Sequence, residues 1–241
     1  MTGHVWYVAY GSNLSAERFS CYLQGGQPPG VAFRYRGARD QTVPRASKAV
    51  WLPGGVYFAT ESQVWGGGRA LYDPDAPGKA AARSYLITTQ QFSDVAAQEM
   101  YREPGADLDL TELIALGRIQ VGEGRYETLI YLGQDAQMPM VTCTAPWRIG
   151  DVPLLSPSGA YLLMLGRGLR ESHGWDAQRT GEYLASLPGA RGYWTAGDIV
   201  DLLLSGRLNS AVPVIGRCQA RPGRTGRAWL VGSGNPHRRR R

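Results

Sequence analysis

Between residues 27 and 79 no stretch is long enough for a helix to establish itself. QPPGVAFRYRGARDQTVPRASKAVWLPGGVYFATESQVWGGGRALYDPDAPGK is a succession of short aromatic and β-branched runs, each cut off by Pro or Gly. Proline removes a backbone donor and glycine carries a conformational-entropy cost, so such a segment settles into short strands joined by turns. The apolar runs at residues 4–10 (HVWYVAY), 82–88 (ARSYLIT), 126–133 (YETLIYLG) and 139–146 (PMVTCTAP) continue the pattern on both sides.

Helical spacing interrupts this β-rich grammar in a few places. Residues 15–26 (SAERFSCYLQGG) put Phe19, Tyr22 and Leu23 on one helical face before a Gly pair. At residues 89–100 (TQQFSDVAAQEM) the period changes from two to about 3.6, and residues 109–117 (DLTELIALG) read as a short helix stopped by Gly117. From about residue 150 the texture becomes helical. SPSGAYLLMLGRGLRES offers Ser156 as N-cap with Pro157 at the first helical position, and DAQRTGEYLASLPG and TAGDIVDLLLSG each combine a capping residue, an apolar stripe and a Gly exit. The expectation is an α+β chain: a β-rich core over 1–150, a helical extension over 151–218, and an Arg/Gly-rich, mobile tail over 219–241.

A chain of 241 residues with 43% hydrophobic content can build a real core. No window approaches the roughly 20 continuous apolar residues of a membrane-spanning helix, and residues 4–10 are too short for the apolar region of a secretory leader. Cys21, Cys143 and Cys218 are odd in number, far apart and outside CxxC spacing, which suggests neither a disulfide framework nor a zinc site and fits a reducing cytoplasm. The net charge of +6 belongs to the tail. Residues 219–241 hold seven arginines and no acid; removing those seven from the 26 Lys and Arg leaves 19 bases against 20 acids. That distribution argues against a folded nucleic-acid module and leaves the tail weak anionic contacts.

Among the candidates for chemistry, His4, His173 and His237 form no HExxH or His-plus-Asp cluster, no GxSxG is present, and the GGG at 66–68 lacks the Lys-Ser/Thr of a phosphate loop. These absences argue against a metal-dependent hydrolase and a serine hydrolase. The helix at 89–100 is more informative. Thr88 and Gln91 are spaced as a capping box, which sets the helix phase. In that phase Phe92, Val95, Ala96 and Glu99 share the inward stripe, while Gln91 and Asp94 point elsewhere. A carboxylate drawn into apolar surroundings loses hydration, its pKa rises, and it becomes a competent general base. An ion pair with Arg83 or Arg102 at the core margin is the alternative.

In VWYVAYGSNLS a strand delivers Tyr10 and then Gly11, whose missing Cβ opens backbone torsions and lets a ligand approach the chain closely. Ser12 and Asn13 follow with short polar groups, and successive N–H groups in such a turn can hold an anion. Gly, Ser and Asn are equally the residues of an ordinary turn.

An aromatic strand running into YGSNL (residues 10–14), with QE at the end of a later short helix, resembles the γ-glutamylcyclotransferase-like superfamily over roughly residues 5–146. The resemblance implies a small mixed β-barrel with a cavity at one end. It further implies that the loop of Gly11, Ser12 and Asn13 binds a γ-glutamyl group through its backbone, that Glu99 is the single acid/base, and that Tyr126, with Tyr7 and Tyr10, lines the pocket. Arg34, Arg36 and Arg39 lie where the family's chain passes the cavity, offering partners for a carboxylate. The implied reaction is release of an amine and 5-oxoproline, a cofactor-independent acyl transfer of lyase type. In place of the family's LDxxEG this chain has VAAQEM, with Ala96 for the Asp and Met100 for the Gly. That difference keeps two other functions in view: another Glu-dependent lyase or acyl transfer on a specialised metabolite, and a non-catalytic small-molecule binding module.

Overall fold

The computed structural model describes residues 3–28 and 31–206. Its elements, in order, are β1 (His4–Ala9), a 3-10 turn (Ser12–Leu14), α1 (Ala16–Gln24), β2 (Ala46–Pro53), β3 (Gly55–Glu61), β4 (Gly68–Asp73), β5 (Lys79–Thr88), α2 (Thr89–Glu99), α3 (Leu110–Leu116), β6 (Arg118–Gln120), β7 (Thr128–Asp135), β8 (Met138–Thr144), α4 (Gly159–His173), α5 (Ala177–Ser186) and α6 (Ala196–Ser205). The expected tail at 219–241 and the last part of the expected extension, 207–218, lie outside the described residues.

Six strands form a mixed sheet in the order β2-β5-β1-β8-β7-β6. β1 sits inside it, antiparallel to β5 and parallel to β8. Its residues are buried on both faces: Val5, Tyr7 and Ala9 pack with α1 and α2, whereas Val8 and Tyr10 pack with α4 and α5. A strand covered on both sides needs a continuous apolar run rather than an alternating one, which is what HVWYVAY is. Helices α4 to α6 thus complete the core on one face of the sheet, with Leu162, Leu165, Leu184 and Ile199 joining Val8 and Phe58.

The sheet is not closed into the expected barrel. β2 and β6 are its two edges, and β3 and β4 form a separate antiparallel pair. Where β4 meets β8 the joint is made by a side chain: Thr144 Oγ1 accepts from the Tyr72 N–H at 2.9 Å and donates to the Tyr72 carbonyl at 2.7 Å. One buried hydroxyl therefore satisfies both backbone groups that a ladder rung would have paired. On the other side, the segment before α4 bonds to the pair through Leu155 N–H to Phe58 O at 3.0 Å and Gly68 N–H to Ser156 O at 2.8 Å.

The caps explain most helix boundaries. Thr88 and Gln91 form the expected reciprocal capping box, Asp109 and Asp176 accept from Thr111 and Arg179, and Thr195 pairs with Asp198 in a second box. Two boundaries differ from expectation. α4 is capped by Ser158, whose hydroxyl accepts from the Tyr161 N–H, because Ser156 is committed to the strand-like contact with Gly68. α5 ends at Ser186, its C-cap Leu187 extended before Pro188, rather than exiting at Gly189.

Candidate functional site

The chain leaves the C-terminal end of β1 and makes the tight 3-10 turn Ser12–Leu14 before entering α1. Leu14 N–H closes onto Gly11 O at 2.9 Å and Ser15 N–H onto Ser12 O at 3.2 Å. The first N–H groups of the turn, those of Ser12 and Asn13, have no such bond, as at any helix start. Gly11 has φ −106° and ψ −145°, so it does not use the left-handed torsions that favour glycine. Close approach also bears on it: a Cβ on Gly11 would lie 3.1 Å from the Tyr161 hydroxyl.

The turn is clamped by α4 and β5. Arg83 Nη1 donates to Leu14 O at 3.1 Å and to Glu171 Oε2 at 3.0 Å, while the same Glu171 oxygen accepts from the Ala16 N–H at 2.8 Å. The Tyr85 hydroxyl donates to Asn13 O at 2.8 Å. Gly168 of α4 lies directly against Leu14 and Ser15.

All six residues singled out in the sequence, Tyr10, Gly11, Ser12, Asn13, Glu99 and Tyr126, line one small cavity of about 30 Å³, with Tyr7 and Cys143 completing it. α2 ends at Glu99, and Asn13 Nδ2 donates to Glu99 Oε1 at 2.8 Å and to the Tyr7 hydroxyl at 3.2 Å. Asn13 is 3% exposed. Its amide therefore orients the carboxylate. The tyrosine hydroxyls are otherwise engaged: Tyr10 donates to Cys143 O at 2.7 Å and Tyr126 to Ala70 O at 3.0 Å, which makes both rings fixed walls.

Glu99 is half-buried as a residue, yet burial is the largest influence on its carboxyl and pushes it above the ordinary Glu value. The Arg18 guanidinium, the Tyr22 phenol and the Asn13 amide pull the other way without reversing the shift. The ion-pair alternative is not what forms. Arg83 pairs with Glu171, Arg102 pairs with Glu127, and Glu99 belongs to none of the direct ion pairs among the described residues. Gln91 and Asp94 do point away from Glu99, but into a second covered surface. Gln91 Nε2 donates to Thr42 O at 2.7 Å, and the Asp94 carboxylate accepts from Arg39 N–H at 2.8 Å and Arg39 Nε at 3.0 Å.

The cationic residues near Glu99 are not the expected ones. Arg39 is held by Asp94 and Asp107, Arg36 pairs with Glu103 at 2.7 Å on the surface, and Arg34 and Arg36 line a different groove with Gln24 and Tyr35. Arg18 and Arg69 take that place, both lining a second cavity that shares Ser12, Glu99 and Tyr126 with the first. Arg18 carried a legible signal. It precedes Phe19 and stands one turn before Tyr22 on the inward face of α1, where an arginine is unusual. Arg69 carried none, because β4 is buried along its whole length and periodicity does not set that residue apart. Among the described residues no group of three or more His, Cys, Asp or Glu is placed to hold a metal ion, and no helix is long and apolar enough to cross a membrane.

No family model matches the chain. A curated protein similar to it is Histone deacetylase 5 of Arabidopsis thaliana, 32% identical over 186 residues, which are 69% of this chain and 28% of that protein. The chain thus spans little more than a quarter of the length of this relative. Among solved structures it is similar to the uncharacterized protein loc79017 from Homo sapiens, at 17% identity and a TM-score of 0.46 over 84% of this chain and 99% of the other. It is also similar to a gamma-glutamyl cyclotransferase, at 14% identity and a TM-score of 0.43 over the same shares. A third is YkqA from Bacillus subtilis, at 16% identity and a TM-score of 0.41 over 78% of this chain and 56% of that one.

Proposed function

We propose that the cavity converts a γ-glutamyl compound into 5-oxoproline and a free amine, as the YGSNL resemblance implies. The observation that carries this reading is the Glu99 carboxylate, shifted up by burial and fixed 2.8 Å from the Asn13 amide beside the Ser12–Leu14 turn. Glu99 takes a proton from the substrate's α-ammonium. The freed amine attacks the δ-carbonyl of the same glutamyl group, forming the ring C–N bond, and the carbonyl electrons move onto oxygen. The N–H groups of Ser12 and Asn13 are suited to receive that oxyanion. Collapse restores the carbonyl and breaks the bond to the departing nitrogen, which takes the proton back from Glu99. The second proton shed by the ring nitrogen follows the same route, so the products are 5-oxoproline and an ammonium ion, and Glu99 ends as a carboxylate.

Such chemistry asks little else of the protein. Nucleophile and electrophile belong to one molecule, and holding them in reacting geometry supplies on the order of 7–11 kcal/mol of the barrier in favourable intramolecular cases. A positioned general base contributes roughly 10²–10⁴-fold more. The test is incubation of the full chain with a panel of γ-glutamyl amines and dipeptides, following 5-oxoproline by mass spectrometry. Release by wild type and not by Glu99→Gln supports the assignment. Equal inertness across the panel refutes it, and tight binding without release would mark a binding module.

A further inference from the structure

Beside Glu99 lies a second cavity of about 40 Å³ that the cyclisation does not use. Two buried guanidinium groups line it. Arg18 is 2% exposed and Arg69 3%. Arg18 donates through Nη2 to the Tyr35 hydroxyl, lies 4.2 Å from the Tyr35 ring centroid and 4.8 Å from that of Tyr22, and leaves Nε and Nη1 without a partner. Arg69 donates through Nη2 to the Glu61 carbonyl and leaves Nε without one. Neither arginine is in a direct ion pair among the described residues.

An arginine cannot shed its proton to escape burial, so two guanidiniums beside a single carboxylate leave at least one positive charge uncompensated. Unpaired buried donors are costly, and charged ones the most so. An anion in the cavity would supply the missing partner. At about 40 Å³ the cavity is far below the ~150 Å³ that accommodates a benzene ring, which suits a small anionic group. A planar carboxylate fits and matches the fork of a guanidinium.

We propose that Arg18 and Arg69 form a subsite for a carboxylate of the substrate. The substrate part of this assignment rests on the cyclotransferase reading; the subsite itself does not. Two carboxylates are available in a γ-glutamyl dipeptide, that of the glutamyl group and that of the leaving amine.

The experiment is calorimetric titration of full-length Glu99→Gln, and of Glu99→Gln carrying Arg69→Gln or Arg18→Gln, with three ligands. γ-Glutamylglycine has both carboxylates, γ-glutamylmethylamide lacks that of the leaving amine, and 4-aminobutanoylglycine lacks that of the glutamyl group. Arg69→Gln is expected to weaken γ-glutamylglycine binding at least tenfold. It should leave within about twofold the one ligand that already lacks the occupying carboxylate, which identifies the occupant. Near-ultraviolet circular dichroism checks each variant, and Arg18→Gln gives the same ligand selectivity if Arg69→Gln fails to fold. The subsite is refuted if no ligand binds at millimolar concentration, if neither arginine variant changes any affinity beyond twofold, or if all three ligands weaken by the same factor. Arginine-dependent binding without 5-oxoproline release by wild type would retain the subsite and refute only the cyclotransferase reading.

Discussion

Replacing Gly168 by alanine tests whether helix α4 sets the position of the Ser12–Leu14 turn. A Cβ on Gly168 would lie 2.4 Å from Leu14 Cβ, 2.5 Å from Leu14 C and 2.6 Å from Ser15 N. Ordinary carbon contacts are about 3.5–4.0 Å, so helix and turn must separate by roughly 1 Å. The atoms met are mostly backbone and cannot rotate away, and Arg83 and Tyr85 hold the turn from the other side. Overpacking of this kind costs about 1–3 kcal/mol, partly offset by the ~0.5–1 kcal/mol that alanine gains over glycine inside a helix. A shift of about 1 Å at a reacting group costs on the order of 10²-fold in rate. Gly168→Ala is therefore expected to lower kcat/KM for 5-oxoproline release roughly 100-fold while lowering the melting temperature only modestly. Gly166→Ala is the control on the same helix. Its Cβ would meet Leu203 Cδ2 at 2.3 Å, the end of a flexible side chain on α6, and activity should stay within about threefold. Full activity in Gly168→Ala, or equal losses in both variants, would refute the coupling of α4 to the turn.

Other consequences follow from the same contacts. Because the folded state raises the Glu99 pKa, its carboxyl lowers stability as pH rises from the ordinary value of 4.5 through the folded value; Glu99→Gln should therefore melt above wild type at pH 7, with the difference shrinking toward pH 4.5. Asn13→Ala removes a hydrogen bond to the carboxylate of a type worth about 1.5–3 kcal/mol, so a loss of roughly 10–100-fold in kcat/KM is expected, with the pH-rate profile moved to higher pH. Ser12→Ala should reduce kcat/KM by less than about threefold. Gly11→Val adds methyl groups beyond a Cβ already 3.1 Å from the Tyr161 hydroxyl and should reduce it by more than 100-fold, both read in the same release assay.

The site was more legible in the sequence than the sheet that carries it. Tyr10 to Asn13 are contiguous, and the phase of α2 was fixed by the Thr88–Gln91 capping box, so the inward direction of Glu99 followed from local rules. That Glu99 meets the turn through the Asn13 side chain did not follow, because two residues 86 positions apart are joined only by tertiary packing. Barrel closure was expected from the resemblance and does not occur: β2 and β6 remain edges, and the separate β3–β4 pair meets β8 through the Thr144 hydroxyl, a contact that strand patterning does not register. The three-residue strand β6 is too short to establish a period. Arg39 illustrates a further limit. The resemblance placed it near the cavity, but it is held by the buried carboxylate of Asp94, which was expected only to point away from the apolar stripe.

The pH dependence of 5-oxoproline release by the wild-type protein bears most directly on Glu99 as the base. The account predicts that kcat/KM rises with pH through a single ionisation above the ordinary Glu value of 4.5, and that Glu99→Gln abolishes release across the range. Absence of 5-oxoproline with every γ-glutamyl compound tried, or a rising limb at or below 4.5 that persists in Glu99→Gln, would contradict it.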